Sequence, residues 1–374
     1  MKKTRREFSL LAGIGGALSA GGFASARETG ESRTLRLREE AEFSCFEASL
    51  ARGRGSEVVA TFGRAPSGSE TGDILVTRSA DGVSWKQTPA VSLFSHEAAS
   101  HRVAAITRLS HGSHIVATTR FRHLFDGKVR WRRGSTTDGV FVRESTDGRW
   151  SDARKVDTAP FSIAWTRGAV VELHDGSLLL PLAGQRSDSY KDIREPIASF
   201  LMRSRDRGKS WNYLGSMAED LNGSRDYDEP AVVALKDGRL LAMLRSHVSP
   251  RMDPPGGYLY MALSEDGGVS WSKARKTSMW GHPAHLLALR DGRVLCTYGY
   301  RMHPDPGVRA AVSADGVQWN PQDIFTVKTM PEVDSDHLQI GCPSSVELDD
   351  GRILTAYQTW MGEKQGLECS LFRV

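Results

Sequence analysis

Four stretches of this chain can be laid on one another. Ala169 to Leu180, Ala231 to Ala242, His285 to Cys296 and Ser344 to Thr355 each read as an apolar run, an Asp-Gly pair and a second apolar run. Asp-Gly between two β-branched or leucine-rich runs marks a hairpin, with glycine accepting the positive φ that primed turns require. A fifth copy, Ala104 to Ala117, has His111-Gly112 at the turn, and a degenerate sixth runs from Glu47 through Gly55 to Phe62. A second pattern, Ser-x-Asp-x-Gly-x-Ser/Thr-Trp, interleaves with the first. Ser204 to Trp211 and Ser264 to Trp271 match it fully; Ser79 to Trp85 and Ser313 to Trp319 are one residue shorter, and Ser145 to Trp150 is two shorter. Here Asp can accept hydrogen bonds from turn amides, Gly can take positive φ, and Trp can cover a neighbouring apolar surface, so the pattern is structural.

The turn glycines fall at 112, 176, 238, 292 and 351, at intervals of 64, 62, 54 and 59 residues. Each period orders its parts as strand, Asp-Gly turn, strand, variable loop, strand, Asp-containing turn, strand, which is one four-stranded antiparallel blade. Six such units fill the chain, so the fold class is all-β and the architecture a six-bladed β-propeller over residues 27–374. The 37 glycines and 15 prolines suit many short strands. A strand near Thr34 to Arg38 is expected to pair into the last blade, whose own final strand is Leu367 to Val374, closing the ring and hiding both edges.

Ahead of the repeats, Arg5-Arg6 precedes a glycine-rich apolar stretch from Phe8 to Phe23 and then Ala24-Ser25-Ala26. This resembles a twin-arginine signal peptide over residues 1–26, too short and glycine-rich for a membrane span. It implies the twin-arginine (Tat) translocon as a partner, no stable membrane insertion, and a periplasmic or secreted bacterial protein. The formal charge is +4, and Lys2, Lys3, Arg5 and Arg6 less Glu7 supply +3 of it, leaving +1 for the rest. Such balance argues against nucleic acid as a partner. Cys45, Cys296, Cys342 and Cys369 form no metal-binding spacing, and no cofactor or metal is implied.

Strand reversal locates a site. With the Asp-Gly turns at the bottom, the start of each first strand and the end of each second strand lie at the top, around the central channel. First-strand starts supply Glu47, Arg102, Arg167, Glu229, His282, His285 and Cys342; second-strand ends supply Arg64, Arg120, Arg122, Gln185, Arg245, Tyr300, Arg301 and Trp360. Seven arginines on one rim point to an anionic ligand, since guanidinium forks bind carboxylate or phosphate. Glu229 and Arg245 are brought to one end by their hairpin, where the carboxylate stays ionised and can serve as a base or a salt-bridge partner.

At these residues the chain resembles the sialidase (neuraminidase) superfamily of BNR or Asp-box proteins. The resemblance implies a glycoside hydrolase in which three arginines hold the substrate carboxylate, a glutamate activates a tyrosine nucleophile, and an aspartate is the acid/base. By motif, Glu229 and Arg245 match the glutamate and arginine that flank the hairpin. Arg64 and the segment from Asp73 match the first-blade loop, offering Glu70 or Asp73 as acid/base. Arg167, Arg301, Arg102, Arg64 and His285 join Arg245 as substrate-binding candidates. The sequence departs from the family at two points: Ser44 to Ala48 stands where the Arg-Ile-Pro motif belongs, and Cys342 stands where the tyrosine belongs. Tyr300 or Tyr227 on the same face could substitute, as could a Cys342 thiolate. The expected activity is therefore an exo-acting hydrolase of an acidic sugar, sialic acid first, acting on a carbohydrate substrate. The alternatives are a hydrolase or lyase of another polysaccharide sugar, such as a rhamnoside or uronide, and a non-catalytic carbohydrate-binding propeller.

Overall fold

The computed structural model of the protein describes residues 33–67, 72–85, 89–97, 99–122, 137–187, 195–222, 224–248, 257–331, 340–362 and 364–374. The N-terminal signal and Glu70 lie outside them. Six antiparallel sheets follow one another along the chain. Blade 1 begins with Phe43–Arg52, blade 2 with Ala99–Arg108, blade 3 with the split strand Ile163–Thr166 and Val171–Glu172, blade 4 with Arg225–Ala234, blade 5 with Ala284–Ala288 and blade 6 with Gly341–Glu347. The ring closes as expected. Arg33–Arg38 is the outermost strand of blade 6, pairing antiparallel with Lys364–Phe372, with Leu35 opposite Cys369.

The packing explains the repeat. Among the described residues the buried apolar side chains gather into six clusters, one at each seam between consecutive blades. No blade has a core of its own; each strand's two faces serve two seams. The tryptophans of the second motif plug these seams. Trp85 packs into the blade 6–1 cluster, Trp211 into 2–3 and Trp319 into 4–5, while Trp271 covers 3–4. Each indole N–H donates to the glycine carbonyl of its own turn, at 3.0 Å from Trp85 to Gly82 and 3.2 Å from Trp211 to Gly208. Register places both turn families at one end: Ser79, Ser204, Ser264 and Ser313 lie opposite Val58, Leu178, Leu240 and Val294. Glu229 lies midway along its strand, on the far side of the apolar run from the Asp-Gly turn, beside the Asp228–Arg245 pair.

Two local expectations are corrected. The Asp-Gly hairpins are not primed turns. In blade 4 Gly238 donates to the Leu235 carbonyl at 3.0 Å and has φ 89°, whereas Asp237 is not left-handed. This is a type I turn followed by a glycine bulge. Its cause is the aspartate, whose carboxylate accepts the Arg239 amide at 3.1 Å and so holds Asp237 in the ordinary region. Ser145 to Trp150, by contrast, forms a plain two-residue hairpin. Asp147 and Gly148 both have positive φ and Thr146 pairs with Arg149, which leaves no room for the longer hydrogen-bonded turn.

Three of the hydrogen-bonded Asp turns carry a pH signature. Amide and hydroxyl donors from Ser84 and Val83 hold Asp81 at about 2, Ser210 does the same for Asp206, and Ser270 for Asp266, against the usual 3.8. A carboxyl depressed by folding stabilises the fold above its unfolded value and loses that contribution as pH falls through the folded one. The thermal midpoint should therefore drop between about pH 4 and pH 2, and the drop should shrink in the D206N/D266N double variant. A drop of unchanged size in that variant would count against this assignment.

Candidate functional site

The side chains at the top of the ring are aimed by a repeated irregularity. In blades 1, 2, 4 and 6 the innermost strand carries one more residue than its partner between paired positions: Phe46 to Ser49 against Gly63 to Thr61, and Asp228 to Ala231 against Arg245 to Met243. At each bulge one non-glycine residue is left-handed, namely Glu47 (φ 53°), Val103 (56°), Glu229 (44°) and Cys342 (50°). A bulge turns its side chain out of the pleat. Such conformations cost about 1–3 kcal/mol each and cluster at functional sites. In blade 3 the strand is interrupted instead, at Arg167-Gly168. A Cβ at Gly168 would stand 2.4 Å from the Pro230 carbonyl, so only glycine lets blade 4 approach this closely.

The ring gathers charge. Arg245 donates to Glu229 Oε2 at 2.8 Å, and the His282 ring lies 3.9 Å from the same oxygen. Arg167 donates to Glu47 Oε1 at 3.1 Å, and the second Glu47 oxygen accepts the Val103 amide at 2.9 Å. Gln358 of blade 6 accepts the Glu47 amide at 3.0 Å, while Asp228 takes the Trp165 indole N–H at 2.8 Å and the Glu229 amide at 2.7 Å. Burial alone would raise the Glu229 carboxyl, but Arg245, Arg167 and His282 hold it far below the usual carboxylate range. Burial also opposes the Arg167 charge, and Cys342, Glu47 and Glu229 more than restore it. Arg301 differs. Burial and the repulsion of Arg245 and Arg167 lower it, against the attraction of Cys342 and Glu229. Its Nε donates to the Ile340 carbonyl at 3.2 Å and its Nη2 lies 3.6 Å from Cys342 Sγ, with no carboxylate partner among the described residues.

Below these groups the channel narrows to a cavity of about 50 Å³, bordered by Glu47, Arg167, Cys342, His285, Ser49 and Ser344 among small residues such as Ala105 and Ala169. The Ser345 amide donates to His285 Nδ1 at 3.3 Å, which leaves the ring proton on Nε2, and burial depresses the imidazole to about 4. His285 is therefore a neutral donor near pH 7.

The structure thus brings Glu229, Arg245, Arg167 and Arg301 together, with His285 in the shaft. The other candidates are placed elsewhere on the rim. Arg102 lies over the Phe46 ring at 4.1 Å. Arg64 is 3.4 Å from Glu40 and stacks on Phe43 at 4.7 Å. Asp73, opposite Arg64, has its carboxyl raised by burial against the pull of Arg64. Tyr300 meets Trp280 edge-on and carries the Arg309 guanidinium on its ring at 4.5 Å, and Tyr227 packs on Tyr260. Arg120 and Arg122 are both taken by Asp138. Glu47, expected on the rim with no part in the site, is the ion-pair partner of Arg167. The signal was present in its position, since it stands before its hairpin as Glu229 stands before the fourth. Among the described residues no three His, Cys, Asp or Glu side chains gather as metal ligands, and no helix is long and apolar enough to cross a membrane.

Comparison with known proteins places this geometry. Residues 58–355 match the family described as BNR repeat-like domain. No curated protein matches the chain. Among solved structures, a protein of unknown function from Dyadobacter fermentans superposes with TM-score 0.78 at 24% identity, covering 92% of this chain and 99% of that one. A Trypanosoma rangeli sialidase in complex with sialic acid gives 0.62 at 14% identity, over 92% of this chain and 57% of that one. A Penicillium chrysogenum alpha-L-arabinanase complexed with arabinobiose gives 0.62 at 12%, over 92% and 98%. At these identities the likeness is one of fold.

The charges make a stability prediction. Arg245→Met removes one half of a mostly buried pair and should cost roughly 3 kcal/mol, because Glu229 loses its nearest counter-ion. Arg301→Met removes a cation without a carboxylate partner and should leave the urea midpoint unchanged or raised. A loss in Arg301→Met as large as that in Arg245→Met would show that Arg301 serves the fold.

Proposed function

The chain belongs to the BNR repeat-like family, and from that membership and the charges in its ring we propose that it is an exo-acting glycoside hydrolase of an acidic sugar, with sialic acid the first candidate. One observation carries the reading. Three guanidiniums from blades 3, 4 and 5 meet at the channel mouth, two with a glutamate and Arg301 with none among the described residues. Holding like charges together is unfavourable until an anion joins them, and a sugar carboxylate supplies it. The fold does not select the sugar, since a sialidase and an arabinanase share it; the arginines do.

In this reading Arg301, Arg245 and Arg167 bind the carboxylate, with Arg102 at the edge. Glu229 is a fixed negative charge that stabilises the oxocarbenium-like transition state. Asp73, whose carboxyl burial raises, donates the proton to the departing oxygen. Export by the twin-arginine route would bring the folded ring to glycans outside the cytoplasm. A second reading, a non-catalytic carbohydrate-binding propeller, draws on Cys342 standing where the resemblance implies a tyrosine and on the Tyr300 ring being engaged by Trp280 and Arg309.

An aryl glycoside panel comprising a sialoside, a uronide and a rhamnoside separates them. Turnover of an acidic member is expected. Arg301→Ala should weaken its binding by about 2–5 kcal/mol, or roughly 30- to several-thousand-fold. Uniform inactivity together with sugar binding measured by calorimetry would favour the second reading.

A further inference from the structure

The residue best placed to activate water is not one that the resemblance supplies. Glu229 is a poor base, since Arg245 sits on its Oε2 at 2.8 Å with His282 and Arg167 nearby. Tyr300 is turned to Trp280 and Arg309. Glu47 remains. Among the described residues its one ion pair is with Arg167 on Oε1, its Oε2 accepts only the neutral Val103 amide, it sits at a left-handed bulge, and it borders the shaft. That shaft, at about 50 Å³, is too small for a sugar ring. It has room for about three waters, with Ser49, Ser344 and His285 as polar partners. A sugar held by its carboxylate at the mouth would therefore have water beneath it and bulk solvent above.

Resting on the reading above, we infer that Glu47 is a catalytic base that deprotonates a shaft water for direct attack on the anomeric carbon, making this centre an inverting one. The water oxygen bonds to the anomeric carbon from the shaft side while the bond to the leaving oxygen breaks on the other. The water proton passes to Glu47, and Asp73 gives its proton to the leaving oxygen; exchange with solvent then restores both carboxyls. No enzyme-linked sugar forms, so neither a tyrosine nor Cys342 is required as nucleophile. Arg167 is a positioning residue that fixes the Glu47 carboxylate at the mouth.

The test uses the acidic aryl glycoside that the panel identifies. Proton NMR of the first product formed by the parent protein should show the inverted anomer, a measurement that needs no variant. Glu47→Gln should lower kcat by about 10²-fold or more with KM changed far less. In Glu47→Ala, added azide should restore turnover and give a glycosyl azide of inverted configuration, because the small anion takes the place of water and base together. A retained first product overturns the Glu47 step while leaving the glycosidase reading standing, as does undiminished turnover in Glu47→Gln. Absence of turnover by the parent on every glycoside overturns that reading and the Glu47 step with it.

Discussion

Everything at the centre of this molecule depends on the closing of the ring. The outermost strand of blade 6 comes from the start of the described chain, and Arg33–Arg38 pairs with Lys364–Phe372 across almost the whole sequence. Without that pairing the seam between blades 6 and 1 would lose Leu35 and Leu37 and open onto Trp85 and Phe62. The seams are where the apolar area is buried, so losing one exposes two blades at once. The site shares this dependence. Its charged groups come from blades 1, 3, 4 and 5, and Gln358 of blade 6 holds the amide of Glu47 in blade 1. The central cluster exists only in a closed ring.

A closed ring can also hold strain that an isolated hairpin could not. Four non-glycine residues at equivalent bulges sit in the left-handed region, and three of them, Glu47, Glu229 and Cys342, touch the arginines. An unstrained innermost strand would alternate its side chains between the two seams and present little chemistry to the channel. The bulge diverts one residue per blade from packing to the mouth of the shaft. The seams on either side over-determine the backbone, which keeps the diverted groups fixed before any ligand arrives.

This division explains what the sequence disclosed. The blades, their number and the closing strand were legible because Asp-Gly hairpins and Asp-Gly-Trp turns are local chemistry repeated at a fixed period. The turn type was misread because the Asp237 side chain, rather than its backbone, decides the conformation by taking the Arg239 amide. The bulges were invisible, since one extra residue ahead of the hairpin's apolar run leaves that run's pattern intact. Hence strand reversal could place Glu47, Arg64, Tyr300 and Arg301 on one rim but could not tell which face the channel. Arg301 turns to Cys342, whereas its neighbour Tyr300 turns to Trp280, and Arg64 turns outward to Glu40.

The departures from the resembled family also compensate one another. Where that family carries an arginine before the first hairpin, this chain presents Glu47, and an arginine, Arg167, stands two blades on, in ion-pair contact with it. Three guanidiniums are gathered at the mouth, with Glu47 on the blade 1 side and Cys342 on the blade 6 side, where the resemblance implies an arginine and a tyrosine. Those two changes belong together chemically. A site without a phenol nucleophile can still hydrolyse a glycoside if it has a base able to activate water, and Glu47 borders a small, polar-lined space in which water fits.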